Sequence, residues 1–305
     1  MKNQLTFLLL CVAALSCERK DLLEPHSHMA EIELKLNLNL DVNVATDIVN
    51  LPDPETASYI FFSHDGKTNI QGSVSGVSGK IQIPYGTYDV ILYTSDFYPV
   101  DAVMYRGGNT LSSFEAYTRQ SIRQKAATSV YNITDPDPLF AEHLKGFVIT
   151  PDKHNYTIEL PLLQYSFFYY VTIEVEGLKY VHSVTLDVEG MYTSVFFKDS
   201  LHRENEEGVH SVDMQIKEKE NKIYGEFWAF GPHRNGDIKN TMTLRFINGK
   251  STTIVLDDLS DRVKALTRGG EIVVPQKFII TGGDGGDGFN PEVGDWDKTE
   301  VEVPI

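Results

Sequence analysis

The sequence predicts an all-β protein built as two tandem antiparallel β-sandwiches. Three observations carry this expectation. Ile32, Leu34, Leu36, Leu38, Leu40, Val42 and Val44 alternate with polar residues, the period of a long strand with one buried face. The 305 residues include 15 Tyr and 16 Phe, residue types that suit pleated, half-buried surfaces. Short apolar stretches separated by turn residues recur along the chain, with only one clear helical pattern among them.

The first residues read as an export leader. Lys2 is followed by an apolar run from Leu5 to Leu15. As a helix, this run spans about 16 Å against a bilayer core of about 30 Å. It suits the apolar region of a signal peptide better than a membrane span. Ala14, Leu15 and Ser16 then precede Cys17, which resembles a relaxed bacterial lipobox with Cys17 as the acylated residue. Cys11, the other cysteine, lies in the leader, so Cys17 has no intrachain disulfide partner after cleavage. Two or three acyl chains, at about 0.8 kcal/mol per buried methylene, hold a protein to a membrane nearly permanently. Residues 1–16 are therefore assigned as the leader and 17–29 as a polar tether. The cluster Glu18, Arg19, Lys20, Asp21 fits either a surface-export signal or a plain hydrophilic spacer.

The long strand at 32–44 opens an N-terminal sandwich assigned to residues 30–150. "SYIFFSHDGK" reads as a strand entering an Asp65-Gly66 turn. "GKIQIPYGTYDVILYTSD" gives two strands around Pro84-Tyr85-Gly86. Residues 107–129 read as a strand followed by a short helix, and 134–138 as a loop. The second sandwich, 151–305, begins with "NYTIELPLL". In "QYSFFYYVTIEVEG", Tyr165, Phe167, Tyr169, Val171, Ile173 and Val175 share one face, while Phe168 and Tyr170 load the other. Further strands are expected at 180–188, 193–197, 224–230, 241–247, 251–257 and 271–280. "DLSDRVKALTRGG" is the helix, stopped by Gly269-Gly270.

Three stretches together resemble the fimbrillin-like lipoproteins of Bacteroidota, the superfamily of type V pilus subunits and their anchor and assembly proteins. They are "SCERKD", "IPYGTYDVILYTSD", and "YYVTIEVEGLKYVHSVTLDVEGM" with the closing "GFNPEVGDWDKTEVEVPI". The resemblance implies transthyretin-like sandwiches of about seven strands each. It also implies lipid attachment at Cys17, an outer-membrane location and fimbrial subunits as partners. Shaft subunits of that family lose their first strand to a cut after Arg or Lys, and anchors keep it. No Lys or Arg lies between Lys35 and Lys67. This fits an uncut anchor, or reflects no more than an acidic composition. The terminal "KTEVEVPI" fits either an edge strand for a neighbour or the last strand of its own sandwich.

The net charge of −16 becomes −17 once Lys2 leaves with the leader. Such a surface repels phosphate backbones and argues against nucleic-acid binding. No nucleophile elbow or metal-ligand spacing occurs, so no catalytic residue, cofactor or metal ligand is assigned. "GGDGGDG" at 282–288 lacks a following helix and carries aspartates that repel phosphate. Asp284, Asp287, Asp295 and Asp297 read as a solvated loop rather than a calcium site. Asp199-Ser200-Leu201 matches a short O-glycosylation pattern, with Ser200 as the acceptor. The rival reading to a fimbrial role is glycan binding, with Trp296 as the candidate contact and Trp228 assigned to a core.

Overall fold

The computed structural model describes residues 28–40, 51–66, 68–98, 102–125, 128–203, 207–233, 240–256, 259–281 and 292–296. The protein is all-β. Its strands are β1 Met29–Asn39, β2 Thr56–Ser63, β3 Asn69–Ser75, β4 Ser78–Pro84, β5 Gly86–Thr94, β6 Val103–Arg106, β7 Glu115–Thr118, β8 Gln120–Lys125, β9 Thr128–Ile133 and β10 Phe140–Ile149. They continue with β11 Asn155–Gln164, β12 Phe167–Glu176, β13 Val181–Tyr192, β14 Ser194–Phe196, β15 Glu207–Lys217, β16 Lys222–Ala229, β17 Asn240–Phe246, β18 Ser251–Val255, β19 Gly270–Thr281 and β20 Glu292–Trp296. The helix α1, Leu259–Ala265, lies where the sequence places it and buries Leu259 and Val263.

The first sheet runs β3-β2-β5-β10-β11-β1-β4. β10 and β11 are joined by only two register pairs, Phe140↔Gln164 and Ala141↔Leu163. The four strands on one side and the three on the other share one core, which includes Leu34, Phe61, Val90, Phe140 and Leu162. This is a sandwich of seven strands. β1 runs between β4 and β11 and buries Ala30, Ile32, Leu34 and Leu36, as the alternation requires. It ends at Asn39 with Leu38 half-buried; Val42 and Val44 fall outside the described residues.

The second sheet runs β18-β17-β13-β15-β16-β12-β19-β20, with β9 also pairing β15 and β8 pairing β9. β15 meets β16 through three register pairs, Gln215↔Tyr224 to Lys217↔Lys222. Residues from both sides of that corner share a core with α1, including Tyr169, Val171, Leu186, Phe227 and Val263. Gly177 makes the turn out of β12 at φ 80°. A Cβ there would run into the Ile280 carbonyl of β19. Gly177→Ala is expected to lower the melting temperature by about 5 °C, since left-handed strain and a backbone collision add. Gly249 has φ 83° with open space around it, so Gly249→Ala should cost less. Thermal melts of the two variants check the difference.

The sheets are rich in antiparallel pairs, as expected, with three parallel pairs among the described residues, β1–β11, β12–β19 and β15–β9. Three expectations need correction. The division near residue 150 cuts through the first sheet, because β11, expected to open the second sandwich, pairs along its length with β1. The sheets change between Gln164 and Phe167 instead. In 107–129 the described residues hold strands and a 3-10 turn, Leu111–Ser113, in place of a short helix. The two halves also exchange strands. β14 of the second half pairs with β7, which pairs with β6, to form a three-stranded sheet. This small sheet covers the outer face of β2 and β5. Ile60, Phe62 and Ile91 there pack with Phe114, Val195, Phe197 and Phe230 in a third core. Phe114 and Phe197 stack at 4.6 Å and 14°. That second buried face explains why "YIFF" abandons strict alternation.

Candidate functional site

The outer face of β12, β16 and β15 carries a candidate site. The inward residues of these strands, Val171, Phe227 and Met214 among them, fill the second core. Period two therefore turns Phe168, Tyr170 and Thr172 of β12 outward, opposite Trp228, Glu226 and Tyr224 of β16. The result is an aromatic stripe. Phe168 and Trp228 meet edge to face at 5.4 Å. Tyr170 and Tyr224 lie 5.8 Å apart with ring planes 30° from parallel. Trp228 is thus half-buried on the outer face, and Phe227 takes the core position that the sequence reading gave to Trp228.

A cavity of about 460 Å³ opens beside the two tyrosines, lined also by Asp213, Gln215, Lys217, Glu220 and Glu226. Tyr224 donates a 2.5 Å hydrogen bond to the Glu220 carboxylate. That bond is the largest cause pushing its hydroxyl up to about 12. Burial raises the Tyr170 hydroxyl, and the charges of Glu271, Glu226 and Glu220 raise it further. Both tyrosines therefore stay neutral donors at physiological pH. Among the described residues no group of three or more His, Cys, Asp or Glu is placed to hold a metal.

The residues singled out from the sequence do not gather here. Cys17 lies outside the described residues, as do Asp284, Asp287, Asp297 and the terminal 299–305 strand. Ser200 is exposed in the turn after β14, at φ 57°, with its N–H donating to the Phe196 carbonyl. Trp296, expected in a loop, ends β20 with its backbone opposite Lys277. Tyr170 and Tyr224 were missed as a pair. The loaded outer face of β12 was legible, but their juxtaposition depends on the β12–β16 register.

The other feature of functional weight is β1 itself. It pairs parallel with β11 from Glu31 to Asn39 and antiparallel with β4 from Met29 to Lys35, so both its edges are occupied.

Residues 16–210 match the model of a domain of unknown function, DUF5119, which is most of the chain. The chain belongs to this family. No curated protein matches the DUF5119 sequence. Among solved structures it is similar to a candidate adhesin from Bacteroides ovatus, with 19% identity and a TM-score of 0.58 over 85% of this chain and 94% of that one. It is also similar to a candidate polysaccharide-binding protein of the DUF1812 group from Bacteroides thetaiotaomicron, with 12% identity and a TM-score of 0.50 over 82% and 91%. The fimbrial anchor protein Mfa2 of Porphyromonas gingivalis aligns at 12% identity and a TM-score of 0.45 over 88% and 97%. This DUF5119 chain therefore shares its fold with the Bacteroides ovatus and Bacteroides thetaiotaomicron proteins.

Proposed function

We propose that this protein is a non-catalytic, lipid-anchored protein of the outer membrane that holds or helps assemble a surface fimbria. The observation that carries the reading is the seating of β1. A shaft subunit assembled by strand exchange must release its first strand to open a groove. Here that strand is built into the middle of a sandwich on both edges, and four of its side chains lie in the core. The basic residues that a trypsin-like cut needs are missing between Lys35 and Lys67. The relaxed lipobox at Cys17 supplies the membrane end, twelve residues before β1 begins at Met29. The fold shared with the candidate adhesin of Bacteroides ovatus is in keeping with a role in adhesion. Ser200 in its exposed turn is the proposed O-glycan acceptor of the exported chain.

The test is the mature N-terminus and its location. Mass spectrometry of the membrane fraction should find an acylated chain beginning at Cys17 and retaining β1. Cys17→Ser should leave the chain unprocessed or soluble and shed intact fibres into the medium. A mature chain that begins after Arg19, Lys20, Lys35 or Lys67 would refute the anchor reading. So would Cys17→Ser cells whose fibres stay attached in normal number.

A further inference from the structure

We propose that the outer face of β12, β16 and β15 binds a neutral glycan segment, with Tyr170 and Tyr224 as its stacking floor and Asp213, Gln215 and Glu226 as hydrogen-bond partners for its hydroxyls. The inference does not rest on the anchor reading, since a fixed subunit and a free one present the same face.

The geometry selects the ligand class. A pyranose ring has an apolar C–H face and an equator of hydroxyl donors. The apolar face needs a flat aromatic surface, and the hydroxyls are best met by carboxylates, which form charge-assisted bonds. Tyr170 and Tyr224 are diagonal neighbours on adjacent strands, with ring centroids 5.8 Å apart and planes tilted by 30°, so both rings sit together on the outer face. Glu226 follows Tyr224 on the same face of β16, with its backbone opposite Tyr170. Asp213 and Gln215 follow on β15, with Gln215 opposite Tyr224. All three acceptors are exposed.

The site is set before a ligand arrives. The 2.5 Å bond to Glu220 fixes the Tyr224 ring, and the strands hold both tyrosines half-buried, so little side-chain freedom is lost on binding. The stripe continues past this pair to the half-buried Trp228, which packs on the buried Phe168. Tyr98, which is exposed, lies near enough to Glu226 to feel its charge. A chain of several sugars thus finds an extended track, about 13 Å along β16 from Tyr224 to Trp228.

Charge narrows the class further. Asp213, Glu220, Glu226 and Glu271 outnumber the two nearby lysines, Lys217 and Lys222, around the two rings. Sulfated and uronate-rich glycans are repelled by that field. A cationic ligand is attracted by the same field and needs only one ring face; the oligolysine probe below distinguishes it from a glycan. The Trp296 contact expected from the sequence belongs elsewhere: its strand β20 is separated from β12 by β19.

The experiment uses the full chain, purified from the soluble fraction or from membranes in detergent. The probes are immobilised cello-, manno- and galacto-oligosaccharides, heparin and an oligolysine peptide. Saturable binding to at least one neutral series and none to heparin is expected. Tyr170→Ala and Tyr224→Ala should each weaken that binding by about tenfold, with the melting temperature kept, because one ring–face contact is worth about as much as an aromatic pair. Tyr224→Phe keeps the ring and should lose less than Tyr224→Ala. Should an alanine variant fold poorly, the exposed substitutions Asp213→Asn and Glu226→Gln take its place and should weaken binding several-fold. Failure of every neutral series to saturate overturns the proposal. Binding indifferent to all four positions does so too, as does capture of oligolysine through these residues in place of a glycan.

Discussion

Leu34→Asp is expected to abolish cooperative folding of the first sandwich. Leu34 is 1% exposed and lies in the middle of β1, opposite Gly79 on one side and Ile158 on the other. Its side chain packs in the core with the inward residues of both layers. Removing a buried leucine costs about 2–5 kcal/mol in lost burial and cavity formation. A carboxylate without a partner in the same place adds a desolvation penalty of several kcal/mol more. The sum meets or exceeds the roughly 5–15 kcal/mol by which a domain is stable. The alternation itself supplies the controls. Asn37 is exposed on the other face of β1, and Asn37→Asp should leave the melting curve almost unchanged. Leu38 is half-buried near the strand's end, and Leu38→Asp should fall between the two. Circular dichroism melts of the three variants make the check. A Leu34→Asp protein that melts like the wild type would mean that β1 is not a core strand, and the anchor reading would lose its structural support with it.

The same strand shows how much could be read in advance. Where one face is buried and the other wet, the period of two is visible, and β1 and the inner face of β12 were legible residue by residue. The helix was legible from its apolar spacing and its terminal glycines. Elements whose burial comes from distant partners were not. Ile60, Phe61 and Phe62 are consecutive and all buried, because β2 has a core on each side. The three-stranded sheet is built from strands of four, four and three residues drawn from both halves, too short to show a period. β15 does alternate, with Val212 and Met214 inside and Asp213 and Gln215 outside, but its polar flanks hid it. The boundary was misplaced for a related reason. A parallel partner such as β11 returns to β1 over more than a hundred residues, and nothing local in "NYTIELPLL" says which sheet it will join. The proposed glycan face followed the same rule: one strand's contribution could be read, and the pairing could not.

The joint between the halves leads to the second large effect. Arg106→Ala combined with Arg203→Ala is expected to destabilise the protein by about 3 kcal/mol or more, because it strands a buried charge. Glu115 begins β7 and is 0% exposed. Its carboxylate is held from two sides: Arg106 Nε of β6 donates to Oε1, and Arg203, just beyond β14, donates from Nη2 to Oε1 at 2.8 Å and from Nε to Oε2 at 3.1 Å. The arginines are themselves positioned, Arg106 over the Tyr117 ring at 4.7 Å and Arg203 over the Phe196 ring at 5.3 Å. One arginine comes from each half of the chain, so the carboxylate ties the small sheet together across them. Each guanidinium is about two-fifths exposed, at 41% and 42%, which keeps the value of either single pair modest. A single alanine variant leaves the other arginine in place and should cost about 1 kcal/mol. The double variant leaves the carboxylate with neither, at a position that is 0% exposed in the intact protein. Adding Glu115→Gln to the double variant separates charge from packing. If the stranded charge is the cause, the third substitution restores part of the lost stability, because an amide is far less costly to bury than a carboxylate. If the arginine stems contribute only contact area, it restores nothing. Urea titrations of the single, double and triple variants measure the coupling directly. Strictly additive losses, with no recovery in the triple variant, would show that this ion cluster does not hold the two halves together.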